Sequence, residues 1–341
     1  MATPVEIAAM RRALALAETP GVPSGPNPRV GCVLLDPDGA SIAEGYHRGA
    51  GHPHAEVDAL TTAGEQARGA TAVVTLEPCN HTGRTGPCTD ALLAAGIARV
   101  VYAQRDGNPV AQGGGEALRE AGVDVEGGVL ADEARAVNPI WTFAVETGRP
   151  YVTWKYAATL DGRSAAADGS SRWITSSEAR ADVHRLRAEC DAILVGTGTV
   201  LADNPQLTVR DAAGSPERSG RPLRVVMGLR SVPVDAAVLD GAADTLVLNT
   251  RDPGEALKRL LDRDCQHVLL EGGPTLAGAF LREGLVDRVI AYLAPALLGA
   301  GPAALADAGV ATISDAIRLE ITHTARVGPD VRVTAVRRER A

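Results

Sequence analysis

A chain of 341 residues exceeds one ordinary hydrophobic core, so two domains of roughly 100–200 residues each are expected. With 45% hydrophobic and 22% charged residues it is neither a disordered nor a fibrous chain, and a net charge of −8 argues against affinity that rests on a phosphate backbone. Five cysteines in such a chain read as metal ligands or free thiols rather than disulfides.

The opening MATPVEIAAMRRALALAE reads as an amphipathic helix with acidic residues and without the apolar core of a signal peptide. No run approaches the roughly 18 apolar residues of a membrane span, so a cytoplasmic protein with no membrane partner is expected. Strands RVGCVLLD and SIAEGYH follow, then a helix from His54, the strand TAVVTLEP, a helix from Cys88 and the strand RVVYAQ. A helix near 113–121 leads into VDVEGGVL, and residues 132–146 read as one further helix. Gly148 and Pro150 then punctuate the chain before TGRPYVTWKYAATLDGR starts a new strand, which places domain boundaries at 1–146 and 147–341. The second half alternates again through AILVGTGTV, LRVVMGL, DTLVLNT, HVLLEGGPTLAGAFL and DRVIAYLAPALLG, so both halves are α/β. Residues 211–221, DAAGSPERSGR, read as an exposed loop. Cys32, Cys190 and Cys265 sit in apolar or helical surroundings and read as buried thiols.

The first chemical cluster is His54-Ala55-Glu56, followed by Glu77-Pro78-Cys79 and then Cys88. One imidazole and two thiolates make the three-ligand set of a catalytic zinc, which keeps its fourth position for water and lowers that water's pKa toward about 7. Glu56 binds no metal in this reading and shuttles the proton between water and the leaving amine. A structural zinc would use the same ligands. These residues resemble the cytidine-deaminase-like superfamily, and the eight-residue insert Cys79-NHTGRTGP-Cys88 is similar to that of the deaminase of riboflavin biosynthesis. Pro26-Asn27-Pro28, Gly31 and Gly45-Tyr46-His47 fit the same family in order. The resemblance implies one zinc per chain on His54, Cys79 and Cys88, with Glu56 catalytic and Asn27, His47, His81 and Arg84 at the substrate.

The second cluster, Glu271-Gly272-Gly273-Pro274-Thr275-Leu276-Ala277-Gly278, follows the apolar strand HVLL and opens a helix. Small residues at a helix N-terminus suit a phosphate, although a Gly-Gly pair is also an ordinary turn, and G-x-G-x-x-G is absent. Lys155, Leu160-Asp161-Gly162-Arg163, Trp173-Ile174-Thr175-Ser176, Ala188 to Gly196, Thr199 to Pro205 and Leu207 to Arg210 come in order. That series resembles the riboflavin-pathway reductase over nearly all of 150–335. It implies a dihydrofolate-reductase-like α/β domain after a cytidine-deaminase-like α/β/α domain. It also implies NADPH contacts at Ala158, Trp173, Thr199, Asp203 and Gly273, Pro274, Thr275, Leu276, Ala277, Gly278 and Ala279. Substrate contacts fall on Lys155, Ser171, Arg187, Leu207, Arg210 and Glu271, with Arg187 and Arg210 suited to clamp a sugar phosphate or else simply surface arginines. One departure is Gly228-Leu229-Arg230 where the family has Asp-Ser. Arg230 is either an exposed loop arginine or a partner for the cofactor's 2′-phosphate.

Together the two resemblances imply zinc-dependent deamination of 2,5-diamino-6-ribosylamino-4(3H)-pyrimidinone 5′-phosphate, then NADPH-dependent reduction of its ribosyl group to ribityl. The partner would be this small phosphorylated ribosylaminopyrimidine, with no nucleic acid, and the chain would form a homo-oligomer, a dimer or tetramer. Two rivals stand beside this reading. One is a nucleoside or tRNA deaminase with an unrelated C-terminal binding domain, which the net charge and the 3% aromatic content disfavour. The other is a non-catalytic relative, which intact His54, Glu56, Cys79 and Cys88 disfavour.

Overall fold

A computed structural model describes residues 1–22, 25–81, 86–210 and 222–338. The chain forms two compact units, Met1–Gly148 and Arg149–Ala341.

In the first unit, helix α1 (Pro4–Ala17) starts at a reciprocal cap: Thr3 Oγ1 accepts from the Glu6 N–H at 3.2 Å, and the Glu6 carboxylate accepts from the Thr3 N–H at 2.7 Å. There follow β1 (Gly31–Leu35), β2 (Ser41–Tyr46), α2 (Ala55–Ala63), β3 (Thr71–Leu76), α3 (Cys88–Ala94), β4 (Arg99–Gln104), α4 (Gly114–Glu120), β5 (Asp124–Gly127), α5 (Ala131–Val137) and α6 (Pro139–Thr147). Among the described residues the strands make one sheet in the order β2-β1-β3-β4-β5, antiparallel around β1 and parallel from β3 to β5.

Side chains alternate across a strand, and here both faces are covered. Cys32 and Leu34 pack with Ala55 and Ala59 of α2 and Leu92 of α3, while Val33 and Leu35 pack with Met10, Ala13 and Leu14 of α1. Two glycines let these helices approach: a Cβ at Gly31 would lie 2.0 Å from the Ala13 carbonyl oxygen, and one at Gly45 would lie 2.4 Å from the Ala59 nitrogen. Residues 132–146 are two helices rather than one. Asn138 leaves helical geometry (φ −123°, ψ 48°) and its amide pairs with the Arg29 backbone N–H and carbonyl at 2.8 Å each, while Pro139 cannot continue a hydrogen-bonded helix.

The second unit contains β6 (Tyr151–Thr159), α7 (Ser177–Ala188), β7 (Ala192–Gly196), α8 (Thr197–Asp203), β8 (Leu223–Met227), β9 (Thr245–Leu248), α9 (Pro253–Leu261), β10 (His267–Leu270), α10 (Pro274–Arg282), β11 (Arg288–Ala294), β12 (Leu319–Val327) and β13 (Asp330–Arg337). The described strands order as β12-β13-β11-β6-β10-β7-β8-β9, parallel from β11 to β9 and closed at one side by the antiparallel β13 and β12. Apolar periodicity does not announce that terminal hairpin, because most of β12 is exposed. The parallel strands end on one edge, where ligands of open α/β sheets bind. Residues 211–221 lie outside the described residues, and with them the loop expected there. Cys32, Cys190 and Cys265 are buried free thiols.

Candidate active sites

His54 caps α2 with an extended backbone, Glu56 follows in the first turn, and Cys88 is the first residue of α3. Cys79 lies beyond Leu76, the last residue of β3, rather than within the strand. The carboxylate of Glu77 holds this segment in place: it accepts the Gly115 N–H at 3.0 Å and the Asp106 N–H at 3.1 Å. Residues from three elements therefore converge. His54 Nδ1 is 3.2 Å from Cys88 Sγ and 3.5 Å from Cys79 Sγ, and all three ligand atoms lie within 4.8 Å of one another. A tetrahedral zinc bonded at about 2.3 Å to sulfur and about 2.0 Å to nitrogen separates its ligands by about 3.5–3.8 Å, so this donor set fits that ion.

The electrostatics match. Cys88 donates to Cys79, which holds the Cys79 thiol well below its ordinary range, while the same hydrogen bond and burial push Cys88 up. The Cys88 backbone N–H also points at Cys79 Sγ, at 3.4 Å. A bound divalent cation would displace the proton left on the pair. Glu56 is 4% exposed, and burial, the largest influence, pushes its carboxyl up to about 7, against the nearby His54.

Asn27 and His47 stand beside these ligands. His47 Nδ1 meets the Pro53 carbonyl at 2.8 Å, which requires its proton on Nδ1, so Nε2 accepts from Asn27 Nδ2 at 3.0 Å. The His47 ring meets the His54 ring edge-on with centroids 5.2 Å apart. His81 Nδ1 is buried without a hydrogen-bond partner among the described residues, and Arg84 lies outside them.

In the second unit a cleft of about 830 Å³ opens beside β6, β7 and β10 and is lined by Lys155, Ser171, Trp173, Arg187, Thr199, Asp203, Leu207, Arg210 and Glu271. Nine positions expected from sequence thus meet in one cavity. The same cleft contains His184 and Gln206, which the sequence alone does not single out, and Thr208 from the run Leu207 to Arg210. His184 sits three residues before Arg187 on α7, and that same-face spacing is the signal that points to it. Glu271 Oε1 and Oε2 accept from Arg187 at 2.6 and 3.0 Å, and Lys155 Nζ lies 3.9 Å away. Burial would raise the Glu271 carboxyl, but the Arg187 and Lys155 charges bring it down to about 2. Leu207 holds a φ of +53°, unusual for a branched residue, at the cleft wall.

Gly273 caps the nine-residue α10, where Pro274 carries no N–H and the Leu276 N–H donates to the Gly273 carbonyl at 3.1 Å, which leaves the Gly273 and Thr275 N–H groups without a partner among the described residues. A Cβ at Gly273 would find Thr199 Oγ1 as its nearest neighbour at 3.8 Å, so the glycine leaves a small space between α10 and α8. That space and those N–H groups fit a phosphate of a dinucleotide. Pro274, Thr275 and Leu276 form the first turn of the helix, with Ala279 farther along it. The side chains of Ala158 and Ala277 are buried in packing, and the missing Cβ of Gly278 admits the Asp307 carbonyl, 2.3 Å from where it would stand.

Comparison with known proteins decides the family. Residues 5–104 match the cytidine and deoxycytidylate deaminase zinc-binding region, and residues 150–333 match the RibD C-terminal domain. The riboflavin biosynthesis protein RibD of Mycobacterium tuberculosis is 52% identical over 317 residues, 92% of each chain, and that of Escherichia coli 43% over 356 residues, 94% of this chain and 96% of that one.

This chain belongs to the RibD family.

It is accordingly a bifunctional enzyme of riboflavin biosynthesis, a zinc deaminase and an NADPH-using reductase in one polypeptide. Solved RibD structures agree. RibD of Acinetobacter baumannii superposes with a TM-score of 0.86 at 38% identity, covering 98% of this chain and 99% of that one. A Thermotoga maritima protein described as a diaminohydroxyphosphoribosylaminopyrimidine deaminase/5-amino-6-(5-phosphoribosylamino)uracil reductase gives 0.81 at 34%, with the same coverage. RibD membership favours neither the nucleoside or tRNA deaminase nor the non-catalytic alternative. Among the described residues no helix is long and apolar enough to cross a membrane.

Proposed function

We propose that Met1–Gly148 is the deaminase and Arg149–Ala341 the reductase, acting in that order on one phosphorylated ribosylaminopyrimidine. The observation that carries the first assignment is the convergence of His54, Cys79 and Cys88 around one ion-sized point, with the buried Glu56 beside it. Zinc, when bound, supplies a Lewis acid and an activated water at neutral pH. Glu56 receives the water's proton and returns it to the leaving amine, a role suited to a group that titrates near neutrality. Asn27 donates to His47 and orients it toward the pyrimidine, with His81 and Arg84 completing the grip.

In the reductase, NADPH supplies hydride to C1′ of the ribosyl group. The Gly273 turn holds the dinucleotide, with Thr199, Asp203 and Trp173 along its length. Arg210 binds the sugar phosphate, while Lys155 and Glu271 meet the sugar hydroxyls. Arg187 keeps Glu271 ionised and fixed. Ser171 and Leu207 shape the pocket wall. A cytoplasmic dimer or tetramer, with no nucleic-acid partner, belongs to the same reading; the acidic net charge supports the lack of a nucleic-acid partner.

The test is NADPH oxidation by zinc-loaded protein given the diaminopyrimidine substrate, with and without a chelator. Oxidation should stop on chelation and return when the deaminated intermediate is supplied. No oxidation with either compound would overturn the reductase assignment.

A further inference from the structure

Arg230 stands apart from the cleft-lining residues, and its placement has a local cause. Strand β8 ends at Met227, and Gly228 turns the chain with a φ of +147°. A Cβ there would lie 2.5 Å from Thr197 Oγ1, so a glycine is what lets the turn lie against the first residue of α8. Arg230 then reaches back over α8: its Nη2 lies 2.8 Å from where a Cβ of Gly198 would stand, and any side chain at 198 would displace the guanidinium. Thr199, the next residue, is the nearest neighbour of the Gly273 cradle. The guanidinium is exposed and has no hydrogen-bond or ion-pair partner among the described residues, so the usual structural reason for fixing an arginine is missing. Two glycines thus hold an uncommitted cation next to the position assigned to the dinucleotide.

We propose that Arg230 reads the 2′-phosphate of the reduced dinucleotide and sets this enzyme's preference for the phosphorylated over the unphosphorylated form. The proposal rests on the assignment of the dinucleotide to the Gly273 turn. A phosphate monoester is close to dianionic at neutral pH, and a guanidinium matches two of its oxygens with parallel N–H donors. The unphosphorylated cofactor offers only a ribose hydroxyl there, so the contact separates the two ligands without touching the reacting end. Arg251, exposed just beyond β9 on the neighbouring strand end, is the competing cation and the natural control.

The experiment is titration of the full-length protein with NADPH and with NADH, followed by tryptophan fluorescence, and with adenosine 2′,5′-bisphosphate against 5′-AMP as fragments that cannot react. Arg230→Ala should weaken NADPH and the bisphosphate by about 10-fold to 100-fold, the loss of one charge-assisted contact, and leave NADH and 5′-AMP unchanged. Gly198→Ala, which keeps the charge but moves it, should narrow the NADPH-over-NADH ratio in the same direction. Equal weakening of both dinucleotides, an unchanged NADPH affinity, or transfer of the effect to Arg251→Ala would each overturn the proposal. If the unaltered protein bound neither dinucleotide, the cofactor assignment itself would fall, and this inference with it.

Discussion

Arg187 donates from Nε and Nη2 to the two carboxylate oxygens of Glu271, at 2.6 and 3.0 Å, joining residues 84 positions apart on the cleft wall. A third donor, Nη1, goes to the Thr208 carbonyl at 3.0 Å. Three of the five guanidinium N–H groups are therefore committed before any ligand enters. On the proposed assignment Arg187 keeps Glu271 charged and aimed, and Arg210, which lines the same cleft, takes the sugar phosphate. Breaking such a buried pair strands the surviving charge.

Glu271→Gln should accordingly lower unfolding stability at neutral pH by about 3–5 kcal/mol, because Arg187 is left buried without its counterion. The sign with pH follows from the depressed carboxyl. Its pKa lies at about 2 in the fold against an ordinary 4.5, with Arg187, Lys155 and His184 facing it. The stabilisation is complete above pH 4.5 and disappears as pH falls toward 2. Urea unfolding of both proteins across that range should show the difference shrinking; a constant difference would refute the linkage.

Glu56→Gln should reduce deamination by at least about 10²–10⁴-fold while zinc stays bound and reduction of the deaminated intermediate is unaffected, since a proton shuttle is lost and no ligand is. Metal analysis and separate assays of the two steps check this. Deamination at the original rate would remove Glu56 from the mechanism.

Cys88→Ala should abolish both zinc retention and deamination, because two remaining protein ligands do not hold a catalytic zinc against dilution or chelators. Its reductase rate should match the unaltered protein. Full zinc occupancy in this variant would contradict the ligand set.

Arg210→Ala should weaken the reductase substrate by about 1–3 kcal/mol through loss of a charged hydrogen bond, appearing in KM more than in kcat. Equal apparent affinity in the two proteins would exclude Arg210 from phosphate binding.

Gly114→Ala tests the scaffold of the zinc site. The added Cβ would stand 1.7 Å from the Pro78 carbonyl oxygen, so backbone next to Cys79 must shift. A loss of about 1–3 kcal/mol in stability is expected, together with weaker zinc binding. Unchanged thermal unfolding and zinc affinity would show that the segment relaxes freely.

Chemistry that depends on residue type and short spacing was written in the sequence. His54, Glu56, Cys79 and Cys88 lie within one stretch, and strands β1, β3 and β4 around them are apolar almost throughout because each faces two helical layers, so the zinc set and both α/β folds could be read from the chain alone. Glycine patterns were equally legible, although their reason was not. Gly31 and Gly45 are needed because helix backbone lies against them, and only packing shows that. The tertiary structure alone decided what depends on partners distant in sequence. It split residues 132–146 at Asn138 because that side chain bonds Arg29, and it added an exposed terminal hairpin that carries no apolar periodicity. It also paired Arg187 with Glu271, brought His184 into the cleft and laid Arg230 over Gly198. A side chain's type fixes what it can bind, but the fold determines which of its hydrogen bonds and charges are already satisfied by the protein itself.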